Sequence, residues 1–260
     1  MDNELILSDL LQDLGLAYRY IPSTGSTNDD ARTWLDEDAA DMSIIIADEQ
    51  TKGRGRFERK WHTRAGAALA SSLILLPTEQ ERSLVHLLSP MTGIAVAATL
   101  EKLFGLHPQI KWPNDILLSG KKVCGILSET AWIGAELKGV VIGTGINITS
   151  DAIPPGEMIS LPATCVEAEA GNSVDRWLVL REYLSQMIHW RTQLGNALFF
   201  DYWRSHLAYL GERVDIQGNL ENDVTGILEG VAENGDLLIR SNQRLIPIRV
   251  GDVHLRLRPQ

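Results

Sequence analysis

Five short apolar runs constrain this chain more than any other feature. "MSIIIADEQ" at 42–50, the segment 67–76 containing "ALASSLILL", "QIKWPNDILL" at 109–118, "KKVCGILSET" at 121–130 and "KGVVIGTGINIT" at 138–149 read as strands. The last three form a meandering sheet, with "SGKK" turning between the first two of them. No such run approaches the ~20 apolar residues of a membrane span, and the acidic start "MDNELILSD" lacks the basic region of a secretory signal. The reading is a cytoplasmic protein.

Helical periodicity fills the gaps. "NELILSDLLQDLGL" reads as a helix, "AYRYIPS" as extended, and "STNDDARTWLDE" as a helix capped at Ser26, Thr27 or Asn28, with two acids suiting its positive end. Leu84, Leu87, Leu88, Met91, Ala95 and Ala98 fall at helical spacing and read as core. Val174 to about Leu207 is helical again, with Trp177, Leu180, Leu184, Met187 and Ile188 on one face. From about Gly211 the texture changes to short alternating strands, "RVDIQ", "VTGILEGVA", "DLLIRS" and "RLIPIRV", with "ENGD" as an Asn-Gly hairpin turn. Pro247 confines its strand to an edge or a bulge. The expected organisation is α+β: a domain over 1–208 built on a mixed sheet flanked by helices, then a small β-barrel over 209–260.

Into this frame the sequence sets one unusual loop. Between Lys52 and Arg64, "KGRGRFERKWHTR" holds six of the chain's 24 Lys and Arg residues, although the net charge is -10. An acidic protein, of pI near 5.1, is repelled as a whole by nucleic acid and by anionic membranes, so a local cationic loop suits one small anion. Gly53 and Gly55 alternate with Arg54 and Arg56, giving a pliable backbone two guanidiniums that can fork onto carboxylate or phosphate. The loop also leaves a strand end, a common place for ligand groups. Neither GxGxxG nor GxxxxGK[ST] occurs. Cys124 and Cys165 are too few for a disulfide scaffold and lack zinc spacing, so both read as reduced.

Taken together, "GSTN" at 25–28, "QTKGRGRFERKW" at 50–61, "KWPND" at 111–115, "KKVCGIL" at 121–127, "GTGIN" at 143–147 and the closing "GDVHLRLR" resemble the biotin protein ligases, from about Tyr20 to the C-terminus. The resemblance implies the biotin-lipoyl ligase fold, which is class II synthetase-like, with a C-terminal SH3-like barrel. It implies a two-step reaction: ATP and biotin, with Mg2+, give biotinyl-5'-AMP, and the biotinyl group then passes to one lysine of a biotin carboxyl carrier domain. The enzyme would work as a monomer or homodimer, with no DNA or membrane partner. Some members carry an N-terminal repressor domain; this chain begins almost at the catalytic domain, so no repressor activity is expected.

By the same resemblance Ser26, Thr27, Asn28, Gln50, Gly53, Arg54 and Gly125 meet biotin, and Gly143 lets the sheet floor approach it. Arg56 and Lys122 hold its carboxylate and later the adenylate phosphate. Lys111 and Asn114 lie near the phosphates, with Arg59 also on the nucleotide; Asn147 contacts the adenine side and Trp61 covers adenine. Asp115 orients the incoming lysine or accepts its proton. No metal-ligand set is expected. Without the resemblance, "STN" is simply a helix cap and Asn114-Asp115 a turn, while Trp112 reads as core and Cys124 as no nucleophile. Glu58 stands where the family loop has a glycine, which puts the fold of that stretch over ATP in doubt, and Arg256 reaches toward ATP or the carrier. Two rivals are a lipoate or octanoyl ligase, whose arginine and triple-glycine motif is missing, and a nucleic-acid-binding module, which the acidic balance opposes.

Overall fold

The computed structural model describes residues 3–57, 59–155, 161–218, 224–249 and 253–257. Its main sheet has seven strands in the order β1-β2-β3-β7-β6-β5-β4: β1 Tyr18–Thr24, β2 Ile44–Gln50, β3 Ala68–Leu75, β4 Gln109–Lys111, β5 Asp115–Leu118, β6 Lys121–Ile133 and β7 Glu136–Asn147. β1 and β2 run parallel and the other neighbours antiparallel, so the sheet is mixed as expected.

"QIKWPNDILL" is two strands rather than one. Pro113 has no N–H for a ladder, and the chain reverses at Trp112-Pro113-Asn114, so that β4 and β5 pair with Lys111 opposite Asp115. β5 and β6 are joined by Ser119 and Gly120, both at positive φ (50° and 73°), which is the two-residue turn expected of "SGKK".

Side-chain alternation gives the sheet two faces. Ile44, Ile46, Leu69, Leu73, Ile142 and Ile146 enter the large core, against α3 (Leu88–Phe104) and α5 (Arg176–Arg191), with α1 (Asn3–Gln12) and α6 (Ala197–Ser205) beside them. The opposite residues Ile45, Ile74 and Val141 meet Ala31 and Leu35 of α2 (Thr27–Asp36). Because α2 covers only part of that second face, the remainder is open and forms the cavity described below.

The expected stripe on α3 is buried nearly all round, from Leu88 to Leu100, because the helix lies inside the protein. The run Glu81–Phe104 is long and apolar enough by composition to cross a membrane, yet most of it is buried within the fold. Its first turns, Glu81–Leu87, are 3-10. The helical tract after Val174 divides into α5, capped by Asp175 accepting from Trp177 N–H at 2.9 Å, and α6, capped by Asn196 accepting from Phe199 N–H at 3.0 Å. Ile188 departs from the expected buried face and is exposed. A short helix, α4 (Val166–Ala170), precedes them.

The C-terminal strands β8 Arg213–Gly218, β9 Val224–Val231, β10 Leu237–Ser241, β11 Arg244–Ile248 and β12 Val253–Leu257 form a separate sheet in the order β11-β10-β9-β8-β12. Among the described residues no pairing closes it into a barrel. Pro247 does lie on an edge strand, and "ENGD" does turn the chain, with Gly235 at φ 79°. The sheet docks on the main unit: the buried Trp112 donates its indole N–H to the Gly235 carbonyl at 3.4 Å, and Val214, Ile216 and Leu237 belong to the same core as α3.

Candidate active site

The open part of the sheet floors a cavity of about 840 Å³. β7 supplies Gly143, Gly145 and Asn147 to this face, with Gly145 in register between Ala70 and Gly125, and Gly143 between Ser72 and Leu127. The glycines are required by what rests on them. A Cβ on Gly143 would stand 2.2 Å from Asn28 Oδ1, and one on Gly145 would stand 2.4 Å from the Trp61 ring.

One end of the cavity is a hydrogen-bonded polar cluster at the start of α2. Gln50 Oε1 accepts from both the Thr27 N–H and the Thr27 hydroxyl at 2.9 Å. Ser72 Oγ lies 2.7 Å from Thr27 Oγ1 and 2.6 Å from Asn28 Oδ1, and the Asn28 amide donates to Glu129 at 2.6 Å. Ser26 has extended N-cap dihedrals, but its side chain makes no cap hydrogen bond. "STN" is thus more than a cap: two of its three side chains are spent on the cavity wall.

The other end is charged. Asp115 Oδ1 lies 2.5 Å from Lys122 Nζ and Oδ2 lies 3.7 Å from Lys111 Nζ. Burial alone would push the Asp115 carboxyl up, but the ammoniums of Lys122 and Lys111 outweigh it and hold the group below the usual carboxylate range. Burial lowers Lys111 despite Asp115. Asn114 donates its amide to the Ile126 carbonyl at 2.8 Å, stitching the turn between β4 and β5 to β6. Asn147 is buried and donates to the Thr164 carbonyl at 3.0 Å. Tyr209 also lines this end; its hydroxyl is pushed up by burial and by Asp115. Burial drives the Cys124 thiol far above its usual range, as fits a core cysteine and not a nucleophile.

The cationic loop folds over the cavity. Its stem is a narrow hairpin, with Gly55 N–H donating to the Arg59 carbonyl at 2.7 Å and Arg54 bridged to Lys60. Arg54 pairs with Asp29 at 2.6 Å and Glu129 at 3.2 Å. The Arg56 guanidinium sits 4.9 Å from the Phe57 ring centre. Trp61 lies on the floor beside Gly125 and Gly145, with the Lys122 ammonium 5.5 Å from its ring centre and its own buried N–H unpartnered.

The cavity thus joins a polar cluster to a half-buried Lys-Asp-Lys set. The profile of the Biotin/lipoate A/B protein ligase family matches residues 20–147. The chain is 33% identical to the biotin--[acetyl-CoA-carboxylase] ligase of Mycobacterium tuberculosis over 98% of its own length and 96% of that protein's. It is 30% identical to the bifunctional ligase/repressor BirA of Bacillus subtilis, over 88% of this chain and 71% of that one. The chain belongs to this ligase family. Its fold matches that of the Aquifex aeolicus biotin protein ligase solved in complex with biotin and ATP, at a TM-score of 0.81 and 29% identity over 93% of this chain and 99% of that one.

Of the residues singled out in the sequence, Ser26, Thr27, Asn28, Gln50, Arg54, Arg56, Arg59, Trp61, Lys111, Asn114, Asp115, Lys122, Gly125, Gly143 and Asn147 all line the one cavity. Gly53 does not: it is buried at the base of the loop, where a Cβ would stand 2.5 Å from the Trp61 carbonyl. Arg256 of the C-terminal sheet lines the cavity too, whereas Glu58 lies outside the described residues. Sequence reasoning missed Ser72, Glu129 and Tyr209. Ser72 had a signal, a hydroxyl pair inside an otherwise apolar buried run. Tyr209 had none, since its place depends on how the C-terminal sheet docks.

Proposed function

We propose that this ligase joins biotin to one lysine of a biotin carboxyl carrier domain, using ATP and passing through biotinyl-5'-AMP. The observation that carries the reading is the single cavity holding the Thr27–Gln50–Asn28 cluster at one end and the Lys111–Asp115–Lys122 set at the other, in a chain alignable over nearly its whole length with a biotin--[acetyl-CoA-carboxylase] ligase. A small heterocycle with a urea suits the first end, since few oriented polar groups on an apolar wall are what such ligands need.

In the first step a biotin carboxylate oxygen attacks the α-phosphorus of ATP, and the bond to pyrophosphate breaks. Two anions must approach one another, and charge-assisted hydrogen bonds worth roughly 1.5–3 kcal/mol each offset their repulsion. Arg56 and Lys122 take that role toward the carboxylate and the new phosphate ester. Lys111 and Arg59 act toward the nucleotide, Asn147 and Trp61 on its adenine side. Ser26, Thr27, Asn28, Gln50, Gly125 and Gly143 surround biotin. Asn114 is tied to the β6 backbone and shapes the turn that carries Asp115. Magnesium enters with the nucleotide, held mainly by its phosphate oxygens and water.

In the second step the carrier lysine attacks the mixed anhydride and AMP leaves. A lysine amine of pKa about 10.4 arrives as an ammonium. Asp115, held ionised by its neighbours, is suited to orient that ammonium and to steady it while its proton passes on to solvent. Residues 1–208 act as the catalytic domain and 209–260 as an SH3-like domain that closes the cavity's charged end through Tyr209 and Arg256.

The test is pyrophosphate release from ATP by the purified chain with biotin, with lipoate and with neither. Release that needs biotin and is not supported by lipoate is the expected result. Release with lipoate alone, or none with biotin, overturns the reading.

A further inference from the structure

The carboxylate of Glu129, on β6, touches two parts of the site that are far apart in sequence. Its Oε2 accepts from the Asn28 amide at 2.6 Å and pairs with the Arg54 guanidinium at 3.2 Å. Asn28 is buried, is held from its other side by Ser72 at 2.6 Å, and rests on Gly143 with no room for a Cβ between them. Arg54 is the first arginine of the cationic loop, and its second partner is Asp29, the residue after Asn28, at 2.6 Å. One carboxylate thus fixes the amide at the cavity wall and the root of the loop above it.

We infer that Glu129 is a positioning residue that couples the seating of the loop to the orientation of Asn28, and through it sets the affinity for biotin. This rests on the ligase reading above. It also reassigns Arg54. Both of its carboxylate bonds come from one terminal nitrogen and tether it to α2 and β6, so Arg54 anchors the loop, and carboxylate binding falls to Arg56 and Lys122. The anchor lies at the loop's root, beside the start of α2.

The experiment uses the full chain and three variants. Glu129→Gln keeps an acceptor for Asn28 but removes the charge facing Arg54; Arg54→Ala removes the partner; the third combines both. Biotin-dependent pyrophosphate release gives KM and kcat, and tryptic cleavage after Arg56 in the ligand-free protein reads the loop directly. The expected result for Glu129→Gln is a biotin KM raised about 3- to 10-fold with kcat within about twofold, the signature of weakened ground-state binding. Cleavage after Arg56 accelerates in the same variant. The combined variant is no worse than the more damaging single, because both remove one interaction. A merely structural loss would lower thermal stability and kcat without this KM selectivity. Multiplying effects in the combined variant, or an unchanged KM and cleavage rate in Glu129→Gln, overturn the inference. If the parent releases no pyrophosphate with biotin, the ligase reading has failed, while the cleavage rates still decide whether Glu129 seats the loop.

Discussion

Gly143→Ala tests the packing of the site most directly. In the parent a Cβ at this position would stand 2.2 Å from Asn28 Oδ1, 3.0 Å from its Cγ and 3.2 Å from its Nδ2. The whole amide must therefore move by more than an ångström, breaking its 2.6 Å contacts to Ser72 and Glu129. Asn28 is buried, and leaving its amide without those partners costs about 1–3 kcal/mol, whereas Ser72 keeps Thr27 Oγ1 at 2.7 Å. Glu129 is half-exposed and regains water, so its loss adds little. A destabilisation of about 2–3 kcal/mol follows, which for a chain of this size lowers Tm by roughly 4–10 °C. Because the displaced group is the cavity wall, biotin KM rises by about tenfold, equivalent to about 1.4 kcal/mol. Denaturant unfolding and pyrophosphate release measure the two effects. Asn28→Ala supplies the control: it already forfeits the same hydrogen bonds, so adding Gly143→Ala to it costs less than about 0.5 kcal/mol. Stability and KM unchanged in Gly143→Ala, or full additivity of the two substitutions, would refute the argument.

Lys122→Ala damages adenylate formation, whereas Asp115→Ala damages transfer to the carrier more than adenylate formation, because the lysine nucleophile enters only in the second step. Following the two half-reactions separately checks this, and equal losses in both steps for both variants contradict it. Saturating biotin and ATP slow tryptic cleavage between Lys52 and Arg64 as ligand neutralises the loop and seats it over the cavity; equal cleavage rates with and without ligands count against a ligand-gated loop. Glu81 gives a pH test remote from the site. Arg191 grips both its oxygens, at 2.7 and 2.9 Å, and holds its carboxyl at about 2 rather than 4.5. A folded value below the unfolded one means that its stabilisation, on the order of 2–3 kcal/mol, is complete above pH ~4.5 and lost as pH falls toward ~2. Unfolding of Glu81→Gln should therefore differ from the parent at pH 7 and converge with it near pH 2; a constant gap across that range disproves the linkage.

The sequence by itself determined most strands and helices and the cationic loop, and its resemblance to the ligase family singled out residues that nearly all line the cavity. Those features are local: apolar periodicity follows from which face is buried, and "GSTN", "GRGR", "KWPND" and "GTGIN" are short because each serves one turn or strand end. Only the tertiary structure decided how the pieces engage. "QIKWPNDILL" reads as one strand until Pro113 is seen to turn the chain and set Lys111 across from Asp115. No pattern around Arg54 shows that Asp29 and Glu129, 25 and 75 residues away, pair with it. Glu129 and Tyr209 carried no mark in the sequence, and the C-terminal strands, expected as a barrel, form an open sheet among the described residues. The reason is physical: backbone and burial preferences act over a few residues and leave a periodic trace, whereas an ion pair or a docked sheet depends on where two distant segments meet, which no local pattern records.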